Sequence, residues 1–143
     1  VGWYASITIG ADGLGLISYY HFTSGDLKVA HCSNTNCTTA TISTLDSTDD
    51  VGWYTSVTIG ADGLGLISYR DHTNGDLKVA HCSDTNCTAA TINTLDATVD
   101  VFNISVTIGT DGLGLISYYD GTNEDLKVAH CENAFCAPYF RRR

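Results

Sequence analysis

Six cysteines stand in three C-x4-C pairs, Cys32/Cys37, Cys82/Cys87 and Cys131/Cys136, and a histidine precedes each first cysteine: His31, His81 and His130. Two chemistries use such residues. An even count at constant spacing reads as a disulfide set formed in an oxidising compartment. Zinc is the alternative, but it favours C-x2-C pairs converging in fours, or added histidines. Adjacent residues of a strand point to opposite faces, so each histidine aims away from its cysteine. The expectation is three disulfides and no zinc. The histidines then become half-buried structural residues, hydrogen-bonded to a neighbouring unit.

Asp12, Asp62 and Asp111 precede glycine at equivalent positions and form the one candidate metal ring. Calcium takes about 6–8 oxygen ligands, usually from several carboxylates. A single Asp-Gly is more simply a turn, with the side chain bonding its own backbone. No cofactor is expected, and calcium at these aspartates is the weak alternative. Asp26, Asp76 and Asp125 follow a Gly or Glu and read as turn formers too.

The aromatic residues are the other candidate chemistry. Tyr19, Tyr69 and Tyr118 recur, with Tyr20 and Tyr119 beside two of them and Trp3 and Trp53 upstream. Exposed rings next to Asp and Asn offer a flat apolar face with polar tips, a surface on which sugars stack. Packing between repeated units is the competing role for the same rings. Tyr20, Arg70 and Tyr119 are equivalent to one another, as are His21, Asp71 and Asp120. Variation among copies falls at this turn, which therefore reads as solvent-facing. The candidate ligand-binding residues are Tyr20, His21, Arg70, Asp71, Tyr119, Asp120, Trp3 and Trp53. N-x-S/T sequons at Asn36, Asn86 and Asn103 are candidate glycan acceptors.

These residues sit in a unit that occurs three times. DGLGLISYYHFTSGDLKVAHCSNTNC at 12–37 returns at 62–87 and again at 111–136. The repeats are 1–50, 51–100 and 101–143. The third is one residue shorter at its start, where Val101-Phe102-Asn103 stands for Val51-Gly52-Trp53-Tyr54. A period near 50 signals a propeller, a solenoid or an array. Each repeat reads as four short strands, in the first about 4–10, 14–20, 26–33 and 38–45, separated by Asp-Gly, Ser-Gly or Asn-Gly turns. The second strand is apolar on both faces, so both faces are covered. The disulfide closes the hairpin between strands three and four, and stapling so small a loop adds about 2–3 kcal/mol. Residues 46–50 are a polar connector. The fold class is all-β: four-stranded antiparallel β-propeller blades.

Seven Lys+Arg against 16 Asp+Glu give a net charge of −9, which repels nucleic acid and anionic membranes. No apolar run approaches the roughly 18 residues of a membrane span, so a soluble chain without membrane insertion is expected. Arg141-Arg142-Arg143 reads as a solubilising or processing remnant. A chain that begins at Val1 and holds no methionine suits a removed signal peptide or a piece of something longer.

From LISYYHFTSGDLKVAHC and its copies the chain resembles bacterial secreted tandem-repeat β-propellers, distantly related to the BNR or Asp-box repeats of sialidase-type proteins. The resemblance covers nearly all of 1–136 and implies a propeller, often of six or more blades. It does not imply sialidase activity. That chemistry needs an arginine triad, a tyrosine–glutamate pair and an aspartic acid. Before the tail this chain has one arginine, Arg70, and its two glutamates, Glu124 and Glu132, occur only in the third repeat.

Three blades are too few to close a ring, and Pro138 interrupts the place of the last strand. A second chain completing six blades, a longer parent chain, or a head-to-tail filament are the three solutions. The sequence therefore predicts a secreted, non-enzymatic structural or adhesive module that assembles with itself through blade edges. Its recognition loops lie around 20–24, 70–74 and 119–123. A multivalent lectin using the tyrosines and tryptophans, and a filament subunit, are the alternatives.

Overall fold

The computed structural model describes residues 1–137. The expectations for Pro138 and the arginine tail lie outside the described residues. Eleven strands, all antiparallel, form three sheets, and the described residues contain no helix. Strands β1 (Gly2–Ile9), β2 (Gly15–His21), β3 (Asp26–Cys32) and β4 (Ala40–Asp46) make the first sheet in sequence order. β5 (Val51–Ile59), β6 (Gly65–Asp71), β7 (Asp76–Cys82) and β8 (Ala90–Asp96) repeat it. β9 (Val101–Ile108), β10 (Gly114–Asp120) and β11 (Asp125–His130) form a third sheet of three strands among the described residues. The sheets approach one another most closely along β1, β5 and β9, as blades do around an axis.

The strand edges shift by one or two residues from those read in the sequence. β1 begins at Gly2 because Gly2 and Trp3 pair with His21 and Tyr20 across a bulge that ends at Ser6. Tyr4, Tyr54 and Asn103 occupy this bulge with φ of 55°, 54° and 51°. A bulge leaves one residue unpaired and re-aims its side chain. The Asp-Gly turns form as expected: Leu14 N–H donates to Asp12 Oδ1 at 3.0 Å, and Gly13 takes φ of 80°.

The core consists of two equivalent layers between the blades. Leu16, Leu27 and Val29 of the first repeat pack on Val51, Val57, Ile67, Tyr69, Ala80 and Cys82 of the second. Leu66, Leu77 and Val79 pack in the same way on Val101, Val106, Ile116, Tyr118 and Cys131. Each fully buried Leu or Val contributes about 1.5–3 kcal/mol. The disulfides Cys32–Cys37, Cys82–Cys87 and Cys131–Cys136 are formed, and Cys82 and Cys87 lie inside the first of these layers. A Cβ on Gly65 would stand 2.7 Å from Cys82 Sγ, so the second glycine of DGLGL is where the sulfur packs against the neighbouring strand.

Candidate functional site

The bulges gather aromatic rings at the end of the blades where the inter-blade links run. The tilted Tyr4 and Tyr54 rings lie 4.7 Å apart, and Tyr4 to Trp53 is 5.5 Å. Trp53 stacks flat on His72 at 3.8 Å, and Trp3 lies 4.6 Å from Phe22. Tyr54 continues the run to Phe102, and Phe102 to Tyr119. Trp3, Phe22, His72 and Tyr119 are exposed, while Tyr4, Trp53 and Tyr54 are half-buried. Burial, and then the adjacent Tyr54 hydroxyl, push the Tyr4 phenol up, so it stays protonated.

The link carboxylates hold the rings in place. Tyr20 Oη donates to Asp50 Oδ1 at 2.7 Å, and Trp53 Nε1 donates to the same oxygen at 3.2 Å. One repeat later Arg70 Nη1 meets Asp100 Oδ1 at 2.5 Å and the Val101 carbonyl at 2.5 Å, with Phe102 beneath the guanidinium at 4.3 Å. A second set lies deeper between the blades. Tyr69 donates to the buried Asp46 at 2.6 Å, and Tyr118 to Asp96 at 2.7 Å. Lys78 bridges Asp46 and Asp71, and Lys127 bridges Asp96 and Asp120. Burial works to raise the Asp96 carboxyl, but the Thr98, Tyr118 and Lys127 donors outweigh it and hold it at about 2.

Half of the sequence-predicted ligand set is therefore not solvent-facing. Tyr20, Arg70, Asp71 and Asp120 are 3%, 5%, 1% and 1% exposed. Tyr20 and Arg70 reach the next blade's link; Asp71 and Asp120 cap their own turns through Asn74 and Asn123. His21 is half-buried and bonded to Ser24 at 2.7 Å. Trp3, Trp53 and Tyr119 do reach the aromatic end. Tyr4, Tyr54, Phe22, His72, Phe102 and the two link aspartates belong to that end and were not read from the sequence. The usable signal was the Asp that immediately precedes Val51 and Val101, in a stretch read only as polar linker.

The histidines and turn aspartates pair with each other. His31–Asp12, His81–Asp62 and His130–Asp111 stand at 2.7, 2.7 and 2.6 Å. The histidine partner is thus within its own blade and not in a neighbouring one, because the end of β3, where His31 pairs with Leu16, lies beside the β1–β2 turn. The Leu14 N–H, with the His31 bond added, keeps the Asp12 carboxyl below its ordinary range. Among the described residues no group of three or more His, Cys, Asp or Glu is arranged to hold a metal. Asn36, Asn86 and Asn103 are exposed. Asp76 is the one described carboxyl with a resolved upward shift, caused by burial and then by Asp71 and Asp96. No described helix is long and apolar enough to cross a membrane.

No protein-family model and no curated protein sequence matches the chain. Solved structures do. A protein of unknown function from Dyadobacter fermentans superposes with TM-score 0.67 at 15% identity, over 92% of this chain and 39% of that one. An alpha-L-arabinofuranosidase from Lactobacillus brevis gives 0.63 at 12%, over 94% and 50%. A fucose lectin from Kordia zhangzhouensis in complex with methyl-fucoside gives 0.51 at 11%, over 87% and 89%. The chain thus spans half or less of the first two. At these identities the likeness shows the fold alone, a β-propeller, and the Asp-box resemblance finds no family support.

Proposed function

We propose that this chain is a non-catalytic, carbohydrate-binding segment of an extracellular β-propeller, with its ligand surface at the aromatic end. The carrying observation is the run of half-exposed rings, Trp3–Tyr4–Trp53–Tyr54–Phe102–Tyr119, crossing three blades beside the Asp50 and Asp100 carboxylates. Ring faces stack on the C–H faces of a sugar, and fixed carboxylates accept from its hydroxyls. The clefts between the described residues lie elsewhere, so this is an open surface suited to weak, repeated contacts. The fucose lectin and glycosidase neighbours agree in ligand class. Three disulfides fit an oxidising compartment.

Glycoside hydrolysis needs two carboxyls flanking the scissile bond. Asp76 is raised, but its neighbours Asp71 and Asp96 are bonded to Asn74, Lys78, Thr98 and Tyr118. That favours binding over catalysis. The test is a glycan array headed by methyl-fucoside, with Trp3→Ala, at an exposed ring of the run, beside the unmodified chain. Binding that falls at least ~10-fold without a change in thermal midpoint supports the site. A folded chain that binds no glycan sinks it. The exposed apolar faces of the first and third repeats, with Ile7 and Leu126, then favour the second reading, a structural or adhesive unit that assembles with itself.

A further inference from the structure

The blade–blade contact occurs twice within the chain, and one half of it is left over at each end. Leu77 and Val79 are fully buried against the third repeat, whereas their equivalents Leu126 and Val128 are 77% and 57% exposed. Leu66 is buried at 2% and its equivalent Leu115 is exposed. On the opposite face Val51 and Val57 are buried, while Val1 and Ile7 of the first repeat are 79% and 63% exposed. A groove bordered by Ser105, Leu115, Ser117 and Val128 runs along the third repeat's free face. The equivalent surface of the first repeat, with Ser6, Leu16, Ser18 and Val29, receives Val57 and Thr55.

We propose that the free face of the third repeat docks on the free face of the first repeat of a second copy, reproducing the internal contact. Ile7 enters the groove beside Leu115 and Val128 as Val57 sits on Leu16 and Val29. The register is set by a hydrogen bond from a backbone N–H to a serine hydroxyl, seen at both internal joints. Val57 N–H donates to Ser6 Oγ and Val106 N–H donates to Ser56 Oγ, each at 3.2 Å. Ser105 is the next member of that series and is exposed, so it accepts from Ile7 N–H of the second copy. The joint is heterologous: two copies close a six-bladed ring, or the copies run on as a filament.

The experiment is sedimentation velocity and native mass of the oxidised chain, alone and as Leu126→Asp or Ile7→Asp. Both substitutions lie on faces exposed in the single chain, so circular dichroism stays unchanged, and so does the thermal midpoint at a dilution where the parent is monomeric; at higher concentration only the parent's midpoint rises. The unmodified chain associates at up to ~0.1 mM, where a micromolar interface is saturated. Each variant is monomeric, weakened about 100-fold or more, because an unpaired charge is then buried at the joint. Mixed one to one, the variants form a heterodimer and stop, since each keeps one intact face. An unmodified chain that stays monomeric overturns the proposal and leaves a further repeat of a longer chain as the occupant. Variants that assemble like the parent, or that fail to pair with each other, place the contact elsewhere and overturn it too.

Discussion

Arg70 Nη1 lies 2.5 Å from Asp100 Oδ1 with Phe102 under its guanidinium, in the place where Tyr20 meets Asp50 and Trp53 one repeat earlier. Two side chains change together between the copies while the carboxylate stays. In the first joint Tyr20 and the Trp53 indole each donate one hydrogen bond. In the second, phenylalanine has no donor. Arginine supplies a charged one and covers the ring.

Arg70→Leu should therefore destabilise the chain by about 1–2 kcal/mol, held to that because Asp100 is half exposed and can turn to water. Arg70→Tyr with Phe102→Trp rebuilds the first joint at the second. Urea unfolding of the two single variants and the double should show the double recovering ~1 kcal/mol over the sum of the singles. Strict additivity would mean that the two positions do not act as a pair.

Glycine at position 65 is a packing requirement. A Cβ there meets Cys82 Sγ at 2.7 Å and, from the preceding blade, Leu16 Cδ2 at 3.0 Å. On Gly15 it meets Cys32 Sγ at 2.8 Å, and its other close contacts lie at 3.7 Å. Overpacking costs about 1–3 kcal/mol where the neighbours cannot yield. Gly65→Ala should lower the thermal midpoint clearly more than Gly15→Ala. Equal losses would show that the sulfur alone sets the constraint.

The inter-blade tyrosine–aspartate bonds set stability at both ends of the pH scale. Asp96 titrates at about 2 in the folded chain against ~3.9 unfolded, so its contribution is present above ~4 and is lost as pH falls toward 2. Burial, then the Asp96 bond and charge, push the Tyr118 phenol up; burial, then Asp46, does the same to Tyr69. Their contribution is complete below ~10, the unfolded value, and is lost as pH rises beyond it. Thermal midpoints should fall on both sides. Tyr118→Phe should flatten both limbs, since Asp96 loses a donor and one phenol is gone. An unchanged acid limb would remove Tyr118 from the account of Asp96.

Repeat length, strand count, turn chemistry and disulfide pairing were legible because each is local: alternation, Asp-Gly and constant cysteine spacing carry them. The covering of the second strand on both faces was legible for β6, which is buried throughout, but β10, its copy in the third repeat, leaves Leu115 and Tyr119 exposed. The site was not legible. Variation at Tyr20, Arg70 and Tyr119 read as exposure, but at the two internal joints it is compensated by variation at Trp53 and Phe102 across the blade gap. That pairing exists only once the sheets are stacked. Burial also depends on the neighbour and not on the residue: Leu77 and Leu126 have identical local sequence, Asp-Leu-Lys-Val, and opposite exposure.

The same stacking predicts different outcomes for two identical serines. Ser18 and Ser68 are both fully buried at equivalent places in β2 and β6. Ser18 Oγ accepts from Thr55 Oγ1 at 2.9 Å, whereas Ile104 stands at the Thr55 position in the third repeat and Ser68 Oγ has no partner. Ser18→Ala leaves the Thr55 hydroxyl buried without its acceptor and should cost about 1–3 kcal/mol. Ser68→Ala removes a hydroxyl that is already unpaired and should be neutral or stabilising by up to ~1 kcal/mol. Thr55→Ile would transplant the second arrangement into the first joint, and Ser18→Ala added to it should then cost nothing further. Urea unfolding of these four variants decides the matter. Equal losses for the two serines would mean that Ser68 finds a partner in solution, and that the two joints are held together alike.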